Sequence, residues 1–304
     1  MPADNNRRKR FRQAETLVRL GLAVNAVLMV AKLLVGYFGK SEALTADGFE
    51  SACDLAISAA SLAAIRFSSQ PFDRNHPYGH GRAESLAALI VGLGIVLTSV
   101  WILFSAATTI AGGLYQRPHV AAVIVAALTI VIKETLARLT FRRANRLYSP
   151  VLNALAHDHR KDALTSIGTL IGCGAAFFGW TLLDPLFAGI TGLLIAHVGI
   201  ETARHAAHDL IDGALPDQFL KTISDVAASV EGVEHVHEIR GRRSGQFVIV
   251  DLKLDMDPEM TVRHSHEIAT RVKEQIFDAE ASVGDVMIHI NPHGDPDHTD
   301  LIRL

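Results

Sequence analysis

Glu50 and Asp54, and Asp158 and Asp162, form two pairs of carboxylates at a spacing of four. In a helix that spacing puts both members of a pair on one face. Like charges so placed repel and need a cation to offset them. Four carboxylates from two helices make a cage for one divalent metal. The alternative is pairing with Lys32, Lys133 or Arg160; recurrence of the paired-acid spacing on two separate stretches favours the cage. His157 and His159 flank Asp158, either turning in as ligands or facing water and headgroups. Asp73, His76 and His80 place one carboxylate and two imidazoles within eight residues, with Pro77 and Gly79 permitting a tight bend. That is metal-ligand spacing, and equally the composition of a polar surface loop. The two Cys, Cys53 and Cys173, sit in apolar surroundings, so neither a disulfide framework nor a Cys zinc site is available. Any metal must be held by His and carboxylate.

The elements that position these acids are membrane helices. From Ser85 to Gln116 no residue is charged, and Leu86–Phe104 is nearly continuous hydrocarbon, long enough at 1.5 Å per residue to cross a bilayer core of about 30 Å. Similar stretches follow at 163–183 and after Asp184-Pro185. The pattern predicts six helices, at 14–38, 42–67, 83–112, 118–142, 152–181 and 185–211. Ionisable groups inside such helices cost several kcal/mol unless they face a cavity or a partner, so Asp47, Glu50, Asp54, Asp158 and Asp162 are functional candidates. Arg7, Arg8, Lys9, Arg10 and Arg12 precede the first helix; Arg66, Arg74 and Arg82 follow the second, and Arg138, Arg142, Arg143 and Arg146 the fourth. The positive-inside bias therefore predicts both termini in the cytoplasm. The basic arm reads as a topology signal and not as a cleavable signal peptide.

The 304 residues fit two domains. Residues 1–212 carry 20 Lys and Arg against 15 Asp and Glu, whereas residues 213–304 carry 9 against 17 and seven of the 15 His. A net charge of −3 gives no basic face for a nucleic-acid partner. Beyond Pro216 the pattern becomes that of a soluble domain, with helices over 217–230 and 262–277 and strands over 236–240, 247–254 and 286–290. The order αββαβ is that of a small α+β domain.

Three motifs, Ala46–Asp54 (ADGFESACD), His76–Glu84 (HPYGHGRAE) and Asp158–Ser166 (DHRKDALTS), together resemble the cation diffusion facilitator family over nearly the whole chain. The resemblance implies a six-transmembrane-helix bundle followed by a metallochaperone-like cytosolic domain. It also implies export of divalent transition metals by proton antiport, as a homodimer in a bilayer, here a bacterial inner membrane. It assigns the transport site to Glu50, Asp54, Asp158 and Asp162, a surface site to Asp73, His76 and His80, and a cytosolic site to His237, Asp251, His266 and His289 with Asn291 nearby. It further assigns a charge interlock to Arg82 and Asp212. His264, His293, Asp295, Asp297 and His298 read as solvated.

Zinc-exporting members of that family have His or Asp at the Glu50 position and His at the Asp158 position, and bacterial ones have His where Asp251 stands and Asp where Asn291 stands. An all-oxygen site suits Mn²⁺ or Fe²⁺, with Zn²⁺ still possible as substrate. Carboxyl groups clustered out of water hold protons at a pH where isolated ones do not, which is the means of proton coupling. The other readings are a metal-binding membrane scaffold or sensor, and an enzyme. A di-iron bundle needs Glu-x-x-His pairs, which the second and fifth helices lack, so the expectation is no enzyme and no catalytic cofactor.

Overall fold

The computed structural model describes residues 2–68, 73–147, 150–245 and 247–294. The side chains of the basic arm (Arg7, Arg8, Lys9, Arg10 and Arg12), of Arg66 and of Arg146 lie outside that description, as do Asp295, Asp297 and His298. Six long helices come first: α1 (Pro2–Phe38), α2 (Glu42–Ser68), α3 (Arg82–Gly112), α4 (Val120–Leu147), α5 (Pro150–Phe177) and α6 (Leu183–Leu210). They are followed by α7 (Asp217–Ala228), β1 (His235–Ser244), β2 (Phe247–Met256), α8 (Val262–Ala279) and β3 (Val283–Pro292). By length and composition four segments can cross a membrane: Val18–Phe38, Arg82–Gly112, Val120–Asn145 and Leu183–Leu210. The charged residues that interrupt α2 and α5 keep those two, of similar length, out of this set.

The chain divides into two compact units, residues 1–60 with 90–203 and residues 61–89 with 204–304. In the first, close packing rests on small residues, as expected where lipid removes the hydrophobic drive between helices. Gly48 of α2 is an instance, since a Cβ there would stand 2.9 Å from Leu33 of α1. Large apolar side chains such as Val27, Leu97, Phe104 and Leu193 point outward, the arrangement a hydrocarbon surround requires. The start of α2 is fixed from α6: Asp184 accepts from the Ser41 hydroxyl (2.7 Å) and the Glu42 amide (2.5 Å). Ser41 in turn accepts from the Leu44 amide (3.1 Å), the geometry of an N-cap.

The second unit contains the αββαβ order. Its sheet runs β1-β2-β3, with β1 and β2 antiparallel and β2 and β3 parallel, the latter pair joined by the α8 crossover. Val248, Val250, Leu252, Leu254 and Met256 of β2 are buried in strict alternation, packing with Ile223 of α7 and Ile268, Val272 and Ile276 of α8. That face makes the core. The opposite face carries polar rows read directly from the register: His235, Asp255 and Asn291; then Glu238, Lys253 and His289; then Arg240, Asp251 and Met287. Lys253 donates to Glu238 (2.7 Å) and, with Arg240, holds that carboxyl below its usual range. Helix α8 is tied to β3 by Lys273 and Asp285 (2.7 Å).

Leu252→Ala removes a fully buried side chain at the centre of this sheet, a change that costs about 2–5 kcal/mol. Hydrogen exchange of the full-length protein should show β2 and β3 amides losing protection. Unchanged protection would contradict a single cooperative core.

Candidate metal centres

The helix α5 cluster is built by one turn of helix. Asp158, His159 and Asp162 each offer a ligand atom within 4.8 Å of the others. Asp162 and His159 are buried, while Asp158 is exposed. Both ring nitrogens of His159 are buried without a hydrogen-bond partner, and the ring lies against Gly21 of α1. A water-facing role for His159 is thereby corrected: the absence of a side chain at Gly21 is what lets the imidazole lie inside. His157 is exposed and meets Phe141 edge-on. On α2, Glu50 and Asp54 share a face one turn apart, and Glu50 Oε2 is a buried oxygen with no hydrogen-bond partner. Unpartnered buried carboxylate oxygen is costly and marks a place for a cation or proton.

Two lysines answer the remaining charge. The Lys32 ammonium of α1 donates to Asp47 (2.8 Å) and Ser51 (3.1 Å), and Ser166 of α5 donates to the other Asp47 oxygen (3.0 Å). The Lys133 ammonium of α4 donates to Asp162 and to Asn25 Oδ1 of α1 (2.7 Å). Of the four carboxylates, the pairing that the sequence offered as an alternative is thus realised for Asp162; Lys32 goes instead to Asp47, and Arg160 turns to Glu134 (3.5 Å).

The segment before α3 brings Asp73, His76 and His80 together. Asp73 Oδ1 accepts from the amides of Asn75 (2.8 Å) and His76 (2.7 Å). The His76 amide foremost holds its carboxyl below the usual range, so it carries full charge at neutral pH. His80 Nε2 lies 3.6 Å from the other Asp73 oxygen. The His80 ring is buried against Phe67 and 4.4 Å, centre to centre, from His76. Gly79, at φ 82°, supplies the bend. Gly81 packs directly on the Ser244 carbonyl at the β1–β2 turn, where a Cβ would clash.

Arg82 and Asp212 form an ion pair, and Arg82 also donates to the Leu210 carbonyl (3.3 Å). Asp212 has φ 59°, and the Gly213 amide bonds back to the His208 carbonyl (2.8 Å). This is a Schellman-type end with Asp in the left-handed position usually given to Gly. The conformation that stops α6 holds Asp212, two residues past the helix end, beside Arg82, and Arg242 adds a second guanidinium at 3.8 Å.

His237, Asp251, His266 and His289 do not come together as a ligand group among the described residues. The Glu238–Lys253–His289 row separates Asp251 from Asp255, and Asp251 faces Arg242 at 3.8 Å. His266 is an exposed residue of α8. His237 groups instead with His235 and Asp255. The His-x-His spacing was legible as two rings on one strand face; their carboxylate, eighteen residues on, depends on strand register.

Comparison with known proteins matches residues 18–211 to the cation efflux transmembrane domain and residues 215–293 to the cytoplasmic domain of cation efflux proteins, a model named ZT_dimer. Metal tolerance protein C1 of Arabidopsis thaliana is 34% identical over 92% of this chain, which spans 63% of that protein's length. Manganese efflux system protein MneP of Bacillus subtilis is 32% identical, over 90% of this chain and 94% of its own. A solved manganese form of a MamM CTD variant is 27% identical, covers 24% of this chain and 92% of that one, and has a TM-score of 0.24.

A double-mutant cycle of Arg82→Ala and Asp212→Asn, the Asn tolerating positive φ, should give non-additive losses in thermal unfolding. The expected coupling is a few tenths to about 1 kcal/mol for so exposed a pair. Additive losses would refute the interlock.

Proposed function

The chain belongs to the cation diffusion facilitator family of divalent-metal efflux transporters, and on that premise we propose that it is a proton-coupled antiporter exporting Mn²⁺ or Fe²⁺, with Zn²⁺ a weaker substrate. All six long helices span the membrane, residues 1–212 forming the transport domain and 213–304 the cytosolic one. Both termini face the cytoplasm, the membrane is the inner membrane of a bacterium, and the working unit is a homodimer. Manganese is supported by the similarity to the manganese efflux system protein of Bacillus subtilis and by oxygen ligation.

The observation that carries the reading is the packing of Asp158, His159 and Asp162 within ligand reach of one another in helix α5. Glu50 and Asp54 of α2 complete the site. With no metal bound, Lys133 supplies part of the positive charge through Asp162. An entering divalent ion displaces that ammonium from the carboxylate, and protons return as the ion leaves. Asp73, His76 and His80 serve as a capture point at the surface, and Arg82 with Asp212 ties two helix ends across the cycle.

Asp54→Ala and Asp162→Asn, the latter leaving Lys133 a hydrogen-bond partner, should each abolish metal flux while the dimer persists in size-exclusion chromatography. Proteoliposomes loaded with Mn²⁺- and pH-sensitive dyes read both fluxes. Full flux in either variant removes these residues from the site, and wild-type protein that binds Mn²⁺ yet moves neither ion is a sensor or scaffold.

Asp158→His converts the four carboxylates to three and one imidazole, lowering the formal cage charge from −4 to −3. Overall divalent affinity should fall while the Zn²⁺ to Mn²⁺ transport ratio rises, since nitrogen donation favours the borderline ion. Competition between the two metals in liposomes gives the ratio. A constant ratio would place selectivity elsewhere.

A further inference from the structure

At the end of the sheet where β1 begins and β2 and β3 finish, three imidazoles converge on one carboxylate oxygen. Asp255 Oδ2 lies 3.5 Å from His235 Nδ1, 3.7 Å from His237 Nδ1 and 3.9 Å from His293 Nδ1. We propose that His235, His237, Asp255 and His293 form a binding site for a borderline divalent cation of the Zn²⁺ or Co²⁺ type, separate from the transport site and from the two adjoining rows that hold His289 and Asp251.

The distances decide against direct hydrogen bonding, which needs about 2.7–3.2 Å between N and O. They match the ligand-to-ligand edge of a tetrahedral site instead: bonds of about 2.0–2.2 Å set adjacent ligands about 3.3–3.6 Å apart. Contraction of a few tenths of an ångström seats the ion. The same ring atom, Nδ1, is presented by all three histidines, and the same carboxylate oxygen faces them. The other oxygen, Oδ1, faces the Asn291 side-chain amide at 3.4 Å, a long contact, and Asn291 is itself buried. This is the division expected of a ligating carboxylate whose second oxygen is oriented by a supporting group. The Asp255 side chain is only 13% exposed, so its charge is partly withdrawn from water and gains from a cation.

Strand geometry assembles the set. His235 and Asp255 are register partners, as are Asp255 and Asn291. The register slips between Val236 and Glu238, which makes His237 the extra residue of a bulge. Without the slip His237 would oppose Lys253; with it Glu238 takes that ammonium (2.7 Å) and His237 is released toward Asp255. His293 follows β3 with its amide on the Met256 carbonyl (2.7 Å), directly beside Asp255 in the chain. Three nitrogens and one oxygen select borderline ions over Mn²⁺, the reverse of the carboxylate cage. An ion there fastens β1, β2 and the end of β3 to each other, and stabilises the domain by mass action.

The test is Co²⁺ binding to the full-length protein in detergent, read from the intense visible absorption of tetrahedral Co²⁺ and from its displacement by Zn²⁺. Asp255→Asn and His235→Gln should each remove one tetrahedral Co²⁺ per chain, and Asn291→Ala should weaken it about tenfold. His235 is 61% exposed, so His235→Gln keeps the test open if Asp255→Asn does not fold. Wild-type stoichiometry in both variants overturns the proposal. So does loss of the signal in Asp251→Asn or His289→Gln with retention in His235→Gln, which would move the ion to the neighbouring row. The readout involves no transport, and repeating the comparison in the Asp54→Ala background, where the transport site is impaired, separates Co²⁺ held at the sheet end from Co²⁺ held among the helices.

Discussion

Negative charge held within an apolar helical bundle is the constraint from which the first unit is organised. Asp47, Glu50, Asp54 and Asp162 occupy two helices whose other neighbours are hydrocarbon, and at low dielectric each uncompensated charge costs several kcal/mol. The structure compensates two of them with ammonium groups from other helices, Lys32 on Asp47 and Lys133 on Asp162. Serine and asparagine take up remaining hydrogen-bond capacity, Ser166 on Asp47 and Asn25 on Lys133. These links join α1 to α2, α1 to α4, α2 to α5 and α4 to α5, so the buried polar groups also set which helices are neighbours.

The two units cohere for different reasons. Residues 1–60 and 90–203 rely on close backbone approach at small side chains and on buried polar pairs, while many of their large apolar residues face outward. In the αββαβ part water supplies the drive: the inner face of β2 is closed by α7 and α8, and charged residues cover the other face. A substitution of leucine for a small residue is therefore most damaging in the first, and of a small residue for leucine in the second.

The three ligand clusters differ in chemistry in a graded way. Carboxylates dominate on α2 and α5, one carboxylate meets two imidazoles in the segment before α3, and one carboxylate meets three imidazoles at the sheet end. Oxygen-rich sets suit hard ions and imidazole-rich sets suit borderline ones. Among the described residues the three clusters therefore range from oxygen-rich to imidazole-rich donor sets within one chain.

The element order was legible because it rests on local signals. Hydrophobic runs, the Pro216 punctuation and the alternation of β2 each depend on residues a few positions apart, and ten of the eleven elements lie within several residues of their expected positions, while α1 begins at Pro2, twelve residues before its expected start, because the helix continues into the polar arm. The motif histidines and acids at 73–80 and 158–162 were legible for the same reason, being separated by a turn of helix or a short bend. What the sequence alone left open were choices between distant partners. Whether Lys133 or a solvent cation meets Asp162, and whether His159 turns inward, depend on how α1, α4 and α5 pack. The grouping of His235 and His237 with Asp255 turned on a single-residue slip in β1, since one bulge moves His237 away from Lys253 and toward Asp255. Period-2 patterning marks which face a side chain takes, but register, which sets its neighbours across the sheet, is an energy shared by three strands and exists only once they are paired.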